Sequence, residues 1–334
     1  MPRNAQWRLV ARPEGLFKPE DFRWAEEDTP PLGEGDVLVR TEYLSLDPTN
    51  RGWAAGDTYL PAVPLDSVMR GLGVGRVVDS RAEGLAAGDA VSGLLGWQRY
   101  AVAPAASLTR LPDVGLPLEA HLGLLGHIGL TAWVGLREIG QPTTGETLVV
   151  SAAAGAVGSL VGQIGKILGL RVVGIAGTDE KCRWLTEDLG FDAAVNYKKT
   201  IVRAGLRRSC PDGIDVYFDH VGGATLEAAL ALLRLHGRIV LCGLISQYTA
   251  AGPVPGPATL GNLLVRRGRM EGFIVLDHAD KAERATADLV RWHREGRLKY
   301  RLDVVDGLEQ APAAVNRLFE GANTGKLVVR VAGW

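Results

Sequence analysis

One segment near the middle of the chain, residues 148–182, limits the possible folds more than any other. It opens with an apolar run, Leu148–Val150, passes through a turn of small residues, Ala152–Gly158, and continues with apolar residues at helical spacing. A second apolar run, Arg171–Ala176, follows. This order predicts a strand, a turn, a helix and a second strand, which together form a βαβ unit. Because such a turn brings backbone amides close to a pyrophosphate, we predict a dinucleotide site here, with a purely structural βαβ unit as the alternative.

The end of the second predicted strand indicates which dinucleotide binds. NAD sites usually carry an acidic residue at this place, where it holds the ribose hydroxyls. This sequence has Gly177 and Thr178 instead, with Lys181 close behind. A lysine attracts the 2′-phosphate of NADP, so we predict NADP(H); the alternative is that Lys181 is only a solvated helix residue. Asp179 and Glu180 complicate this prediction, and we interpret them as first-turn acids of the next helix.

The composition is that of an ordinary globular protein. The chain has 334 residues, of which 46% are hydrophobic and 22% charged, and its formal net charge is -1. This length favours two domains, and the near-zero charge argues against nucleic acid as a partner. No apolar run is long enough to cross a membrane, and the N-terminus lacks the apolar core of a signal peptide. The three cysteines, Cys182, Cys210 and Cys242, are too scattered for a disulfide framework or a zinc site, which favours a reducing cytoplasm.

The pattern of elements changes along the chain. The first third contains short alternating segments typical of strands, such as Asp36–Leu46, and predicts a small barrel or sandwich. After that, strands and helices alternate, which predicts a parallel sheet covered by helices on both faces. Within this part we predict a helix at Leu226–Leu235 and a strand at Gly272–Leu276. The last predicted strand, Leu327–Val331, has no helix after it, so we expect it to return to the N-terminal β structure.

Several sequence blocks, taken together, resemble one known family. They are LSLDPTNRGW (44–53), VMRGLGVGRVV (68–78), GLTAWVGL (129–136), AAAGAVGSLVGQIGK (152–166), VVGIAGTDEKC (172–182), GFDAAVNYK (190–198), FDHVGG (218–223), GRIVLCGLISQY (237–248) and NTGKLVV (323–329). In this order, and over nearly the whole chain, they resemble the medium-chain dehydrogenase/reductase superfamily. Within it they are most similar to the zinc-free group of leukotriene B4 dehydrogenases, prostaglandin reductases and alkenal reductases, which includes bacterial curcumin reductase-like enzymes.

This resemblance implies an α/β fold with two domains. Residues 1–126 and 301–334 would form a GroES-like β-barrel domain that carries the substrate wall. Residues 127–300 would form a Rossmann domain, with a doubly wound parallel sheet that binds the cofactor. The resemblance also implies NADP(H) as the cofactor and a homodimer as the assembly.

Carried over position by position, the resemblance implies roles for individual residues. The pyrophosphate would lie at Gly155–Gly158, Lys181 and Tyr197 would hold the adenosine 2′-phosphate and its ribose, and Asn323 would close on the cofactor. The complete set of cofactor-binding residues that it implies is Ala152, Gly155, Ala156, Val157, Gly158, Gly177, Thr178, Lys181, Tyr197, His220, Cys242, Gly243, Phe273, Ile274, Val275 and Asn323. The group commonly has asparagine where this chain has His220, and an imidazole can still donate or accept a hydrogen bond there.

The chemistry of the predicted site needs no metal. Zinc alcohol dehydrogenases of the superfamily use cysteine and histidine ligands in the catalytic domain, whereas no cysteine precedes Cys182 here. Without a metal, a C=C bond conjugated to a carbonyl is easier to reduce than a plain carbonyl, because a nearby donor can stabilise the enolate oxygen. Tyr248 is the candidate donor, since a phenol with a pKa of about 10 is protonated at neutral pH. The alternative is that Tyr248 only packs the nicotinamide ribose and water supplies the proton.

The sequence therefore predicts an NADPH-dependent reductase of the C=C bond of α,β-unsaturated aldehydes and ketones. Arg51, Trp53, Met69 and Tyr248 would shape an apolar pocket for a small enal or enone. The alternatives are an NADPH quinone reductase of the same fold and a non-catalytic protein that binds NADPH.

Overall fold

The computed structural model describes residues 2–331, which form two compact units. The β unit comprises the residues up to Leu122 together with those from Leu302 onward, and the α/β unit is Gly123–Arg301. The sequence placed these boundaries after residue 126 and before residue 301. Residue 1 and residues 332–334 of the predicted first domain lie outside the described residues.

The strands are numbered in chain order. They are β1 (Arg3–Leu9), β2 (Phe22–Asp28), β3 (Asp36–Ser45), β4 (Ser67–Val68), β5 (Gly73–Ser80), β6 (Ala90–Gly93), β7 (Tyr100–Pro104), β8 (Thr109–Arg110), β9 (Thr147–Val150), β10 (Arg171–Ala176), β11 (Ala193–Asn196), β12 (Ile214–Asp219), β13 (Leu233–Leu241), β14 (Arg269–Gly272), β15 (Leu302–Asp306) and β16 (Lys326–Arg330).

The α-helices are numbered in the same way. They are α1 (Thr49–Ala55), α2 (His127–Val134), α3 (Ala156–Ile167), α4 (Asp179–Arg183), α5 (Val202–Ser209), α6 (Gly223–Leu230), α7 (Gly261–Val265), α8 (Ala282–Arg294) and α9 (Ala311–Glu320). Turns of π-helix, Gly135–Gly140 and Trp184–Asp188, continue α2 and α4. No helix within residues 2–331 is long and apolar enough to cross a membrane.

Strand β3 organises the β unit. It pairs antiparallel with β5, β7 and β16, in a sheet whose order is β15-β16-β3-β5-β6-β8, and a second sheet has the order β2-β1-β4. The pairing of β16 with β3, in which Val328 faces Ser45, confirms that the last strand returns to the N-terminal β structure. The chain therefore leaves the β unit after the first third and completes its sheet from the C-terminal end.

The core of the β unit is rich in aromatic rings. Phe22 and Trp97 stack with their ring centroids 5.4 Å apart, and Phe17 packs edge-on against both. Trp53 and Met69 are buried in the same cluster. Because each buried ring removes a large apolar area from water, this cluster carries much of the stability of the unit.

The α/β unit is built on one parallel sheet. Its strand order is β11-β10-β9-β12-β13-β14, and neighbouring strands run parallel. The chain order reverses between β9 and β12, since β10 and β11 lie on one side of β9 while β12, β13 and β14 lie on the other. Ligands of doubly wound sheets bind beyond the carboxyl ends of the strands at such a reversal. The loops after β9, β10, β12 and β13 are therefore the place to look for a site.

Two predicted elements of the α/β unit are wrong in their bounds. The helix predicted at Leu226–Leu235 ends at Leu230, because Leu233 already pairs with Ile214 and packs into the sheet core as the start of β13. The strand predicted at Gly272–Leu276 instead ends at Gly272. Its true residues, Arg269–Gly272, include two charged side chains on an edge strand, so the hydrophobic pattern did not reveal it.

Candidate active site

The turn between β9 and α3 is tight and shaped for a close approach. Ala152 has a φ of 45°, and its carbonyl accepts a hydrogen bond of 2.8 Å from the Gly155 N–H. A Cβ atom on Gly158 would lie 2.6 Å from the Ala152 oxygen, so only glycine fits there. The N-cap residue of α3, Gly155, contributes no side-chain hydrogen bond to the helix. This arrangement suits a pyrophosphate, which would take hydrogen bonds from the first-turn amides.

The end of β10 brings together four of the residues predicted to bind the cofactor, namely Gly177, Thr178, Lys181 and Tyr197. The Tyr197 ring lies against Gly177, where an added Cβ would be 3.1 Å from the phenol oxygen. The Thr178 hydroxyl caps α4 by accepting a hydrogen bond of 3.2 Å from the Lys181 N–H. Tyr197 itself is held next to β10 by a bond from its N–H to the Ala176 carbonyl at 3.1 Å. The sheet therefore places Tyr197 and the β10–α4 turn side by side.

A fully buried carboxylate, Asp219, organises the end of β12. Its Oδ1 accepts hydrogen bonds from the Ser151 and Tyr217 hydroxyls, each 2.9 Å long. The Val221 N–H donates to the same oxygen at 3.0 Å, and the Gly222 N–H lies 3.1 Å from each carboxylate oxygen. Burial, and then the Asp219 charge, raises the pKa of Tyr217 well above its usual value, so this phenol remains a donor. These bonds join the ends of β9 and β12, the two strands at the reversal.

The loop after β13 is fastened to the same point. The N–H groups of Cys242 and Gly243 donate to the Asp219 carbonyl, at 2.9 and 3.1 Å. Tyr248 closes this loop, because its hydroxyl accepts a hydrogen bond of 3.0 Å from the Leu244 N–H. The predicted residues Cys242, Gly243 and Tyr248 thus lie together beside the end of β12.

The two ring nitrogens of His220 differ in their hydrogen bonding to the described part of the chain. Its Nδ1 lies 2.8 Å from the Ser151 carbonyl, which can only accept, so Nδ1 carries the proton. Nε2 is then an acceptor; it is shielded from water and has no hydrogen-bond partner within residues 2–331. Burial lowers the pKa of His220, so the ring is neutral at neutral pH. A buried acceptor of this kind is expected where a ligand supplies the donor.

The segment after β14 reaches the same region through its aromatic residue. The rings of Phe218 and Phe273 both press on Gly135, where an added Cβ would lie 2.6 Å from the first ring and 2.7 Å from the second. Phe218 also stacks on His220, with the ring centroids 5.0 Å apart. Ile274 and Val275 follow Phe273 and are partly buried. Phe273 therefore lies next to Gly135, as does Phe218, the ring that stacks on His220.

The predicted residues of the β unit lie mostly in its interior. Arg51, on α1, donates from Nε to the Gly15 carbonyl and from Nη2 to the Pro13 carbonyl, both at 2.7 Å. Trp53 and Met69 are core residues. The structure thus gives these three side chains packing and hydrogen-bonding roles, and their direct contact with a substrate stays a prediction.

Asn323 and Lys326 fix the start of the returning strand β16. The Asn323 amide donates to the Gly325 carbonyl at 3.0 Å, and its contact with a cofactor stays a prediction. Lys326 is buried, and its Nζ donates to the Leu46 carbonyl and to the Asp47 carboxylate, each at 2.7 Å. Burial lowers the pKa of Lys326, and the Asp47 charge opposes that shift.

The three thiols are all held in the protonated form. Burial raises the pKa of Cys242 to about 12 and that of Cys210 to about 11, and the Asp219 carboxylate adds to the effect at Cys242. The pKa of Cys182 is also raised, by burial and by Asp179. None of them is therefore activated as a nucleophile.

Sequence reasoning missed the three side chains that organise this site, namely Ser151, Tyr217 and Asp219. The signal for two of them was present, because Ser151 directly follows an apolar strand and Asp219 ends another. Tyr217 gave no such signal, since an aromatic residue within an apolar strand is expected to pack in the core.

Metal ligands are not grouped in this structure. Within residues 2–331, no three His, Cys, Asp or Glu side chains come together in a way that could hold a metal ion.

Comparison with known proteins places the whole chain in one family. Residues 5–111 match a family model described as the N-terminal domain of oxidoreductase, and residues 156–291 match one described as zinc-binding dehydrogenase. The chain is 44% identical to the NADPH-dependent curcumin reductase of Escherichia coli strain K12, over 99% of this chain and 98% of that protein. It is 42% identical to the NADP(+)-dependent 2-alkenal reductase of Nicotiana tabacum, over 90% of this chain and 89% of that one.

A solved structure agrees with this assignment. The crystal structure of CurA in complex with NADPH from Vibrio vulnificus superposes with a TM-score of 0.94, at 41% identity and over 99% of this chain and 100% of that one. The chain therefore belongs to the medium-chain dehydrogenase/reductase superfamily, in its zinc-free group of curcumin, alkenal and prostaglandin reductases.

Proposed function

We propose that this protein uses NADPH to reduce the C=C bond of α,β-unsaturated aldehydes and ketones. The observation that carries this proposal is the cluster of strand-end loops joined at Asp219, next to the uncapped N-terminus of α3, in a chain 44% identical to an NADPH-dependent curcumin reductase. When bound, NADPH supplies the hydride that the β-carbon of the substrate receives. The residues of the chain then have to position the substrate and handle one proton.

We assign that proton to Tyr248. Its hydroxyl is oriented by the Leu244 N–H at 3.0 Å, in a loop that is itself fastened to β12. A phenol held in this way can donate a hydrogen bond to the carbonyl oxygen of an enone and stabilise the enolate. It can also deliver the proton that the α-carbon needs, since a phenol ordinarily has a pKa of about 10 and is protonated at neutral pH.

The roles of the other residues follow from the same proposal. The turn at Ala152, Gly155, Ala156, Val157 and Gly158 holds the pyrophosphate. Lys181 and Tyr197 hold the adenosine end, with Gly177 and Thr178 beside them. Cys242, Gly243, Phe273, Ile274 and Val275 serve the nicotinamide end, and His220 and Asn323 contact the cofactor. His220 Nε2, as a buried acceptor, would take a hydrogen bond from an N–H or O–H of the cofactor. In the β unit, Arg51, Trp53 and Met69 support the substrate wall.

The test is oxidation of NADPH with a set of acceptors. An unsaturated aldehyde and an unsaturated ketone should each be turned over, and the matching saturated aldehyde should not. Analysis of the product should show a saturated chain with the carbonyl retained. Turnover of a 1,4-quinone alone would replace the proposal with quinone reduction, and binding of NADPH without any turnover would replace it with a non-catalytic role.

The role of Tyr248 is tested by Tyr248→Phe in the same assay. Loss of one enolate donor is expected to lower kcat by about 10²-fold. The Kd for NADPH should stay close to that of the wild type, because the phenyl ring keeps the packing. Unchanged kcat would assign the proton to water.

We also propose a homodimer in a reducing cytoplasm. Strand β14 lies at the edge of the sheet, and the adjacent α7 exposes Leu264 to 82% and Val265 to 65%. Antiparallel pairing of two β14 strands would set Arg269 of one copy opposite Glu271 of the other. A monomer in sedimentation measurements would contradict the dimer.

The three unpaired cysteines are compatible with the reducing compartment.

A further inference from the structure

The α/β unit has a carboxylate where an NADP site should avoid one. Asp179 begins α4, three residues beyond Ala176, the last residue of β10, and its side chain is exposed. At the end of this strand, NAD sites use a carboxylate to bind the ribose hydroxyls, and the same charge repels a 2′-phosphate. An isolated Asp179 would therefore favour NADH over NADPH.

Two residues of the neighbouring strand and turn bind this carboxylate. The Asn196 amide donates to Oδ1 at 2.6 Å, and the Lys199 ammonium group makes a short ion pair with Oδ2. Asn196 is the last residue of β11 and lies in register with Ala176 at the end of β10. The sheet therefore holds Asn196 beside the turn that carries Asp179. The pKa of Asp179 is lowered by the Lys199 and Asn196 hydrogen bonds, in agreement with a paired carboxylate.

Stability does not explain this ion pair. Both side chains are largely exposed, and ion pairs of that kind contribute little to folding. Lys199 instead contributes to a basic surface beside the predicted adenosine site. A cavity of about 570 Å³ is lined by Tyr197, Lys198, Lys199, Arg203 and, as its one acidic residue, Glu227, among others. The charge of Lys199 therefore acts on a ligand that approaches Tyr197.

We infer that Lys199 is a specificity-determining residue for NADP(H), because it neutralises Asp179 and so permits a 2′-phosphate to approach Lys181 and Tyr197. The preference for NADP(H) over NAD(H) then depends on the net charge of the Asp179–Lys199 pair as well as on attraction by Lys181. The inference rests on the NADP(H) use proposed above. It also explains how Asp179 is tolerated at the end of β10.

Equilibrium binding of NADPH and NADH, without any acceptor, tests the inference through nicotinamide fluorescence. At low ionic strength, Lys199→Met should raise the Kd for NADPH about tenfold and change the Kd for NADH by less than about twofold. The reason is that the Asp179 carboxylate, once it has lost its cation, repels only the ligand with the extra phosphate. High salt should reduce the difference. Arg207→Met, an exposed residue on α5, removes the same charge as a matched control and should leave both Kd values unchanged.

The double variant separates neutralisation from direct contact. Asp179→Asn in the Lys199→Met background should restore the NADPH Kd to within about twofold of Asp179→Asn alone. Persistence of the full loss would overturn the inference and mean that Lys199 touches the phosphate itself, and an unchanged NADPH to NADH ratio in Lys199→Met would overturn it as well. Failure of the cofactor proposal is distinguishable, because the wild type would then bind NADH as tightly as NADPH.

Discussion

The two units each hold a largely shielded carboxylate near a strand end, and they neutralise it differently. In the β unit, Asp47 follows β3 and pairs with Lys326, whose exposed fraction is 3%. In the α/β unit, Asp219 ends β12 and is held by two hydroxyls and by backbone N–H groups. The first is a cation–anion pair, and the second is an anion surrounded by neutral donors.

This difference separates a structural role from a functional one. A charge that is cancelled by a buried cation joins two strands and has little effect beyond them. A charge held by neutral dipoles keeps its field, and that field contributes to the raised pKa values of Tyr217 and Cys242. Asp219 therefore fastens two loops of the candidate site and also keeps the surrounding phenol and thiol protonated.

The largest expected loss of stability follows from removing Lys326, the buried cation of the β unit. Lys326→Met leaves the largely shielded Asp47 carboxylate without its cation, and removal of one member of a buried pair costs about 3–5 kcal/mol. The free energy of unfolding, from urea titration, should fall by that amount. Arg317→Met breaks the more exposed pair with Asp303 and should cost no more than about 1 kcal/mol. A similar loss in both variants would show that Asp47 is not desolvated as described.

Substitution of Asp219, the buried anion of the α/β unit, should reduce stability less than Lys326→Met does, but it should weaken cofactor binding more. Asp219→Asn keeps one acceptor oxygen but sets an amide against the Gly222 N–H, and we expect a loss of about 2–4 kcal/mol. Because both loops depend on this residue, the Kd for NADPH should rise by more than about tenfold. Asp306→Asn, at an exposed position, is the control for a lost charge. Undiminished NADPH affinity in Asp219→Asn would contradict the organising role.

Removal of the Tyr217 hydroxyl, one of the donors to Asp219, should lower stability less still. Tyr217→Phe removes one hydrogen bond to a charged acceptor and should lower the free energy of unfolding by about 1–2 kcal/mol. In the Asp219→Asn background the same change should cost clearly less, and this coupling is measured by a double-mutant cycle in urea. Additive losses would mean that the phenol packs rather than bonds.

The smallest effect concerns pH. Burial lowers the pKa of His220, so the unfolded chain binds a proton at this residue more readily than the folded one does. The stabilisation is complete above the unfolded pKa of about 6.5 and is lost as the pH falls through the folded value. Unfolding free energies measured between about pH 7 and about pH 5 should decline less steeply in His220→Asn than in the wild type. Parallel profiles would show that His220 does not contribute.

Local patterns predicted the βαβ unit well, because a strand, a glycine turn and an amphipathic helix are written in consecutive residues. The site network was less accessible. Ser151 and Asp219 stand 68 positions apart, and Asp47 and Lys326 stand 279 apart, so no local pattern joins them. The start of β13 was missed because Leu233 belongs to an apolar run that suits a helix as well as a strand, and pairing with β12 decides between them.

The protonated thiols have a consequence for the durability of the protein. Unsaturated carbonyl compounds alkylate thiolates, and they react far more slowly with thiols. Because burial raises its pKa to about 12, Cys242 stays in the thiol form at neutral pH, although it lies in a loop of the candidate site. Burial therefore keeps a cysteine of the candidate site in its less reactive form beside electrophilic substrates.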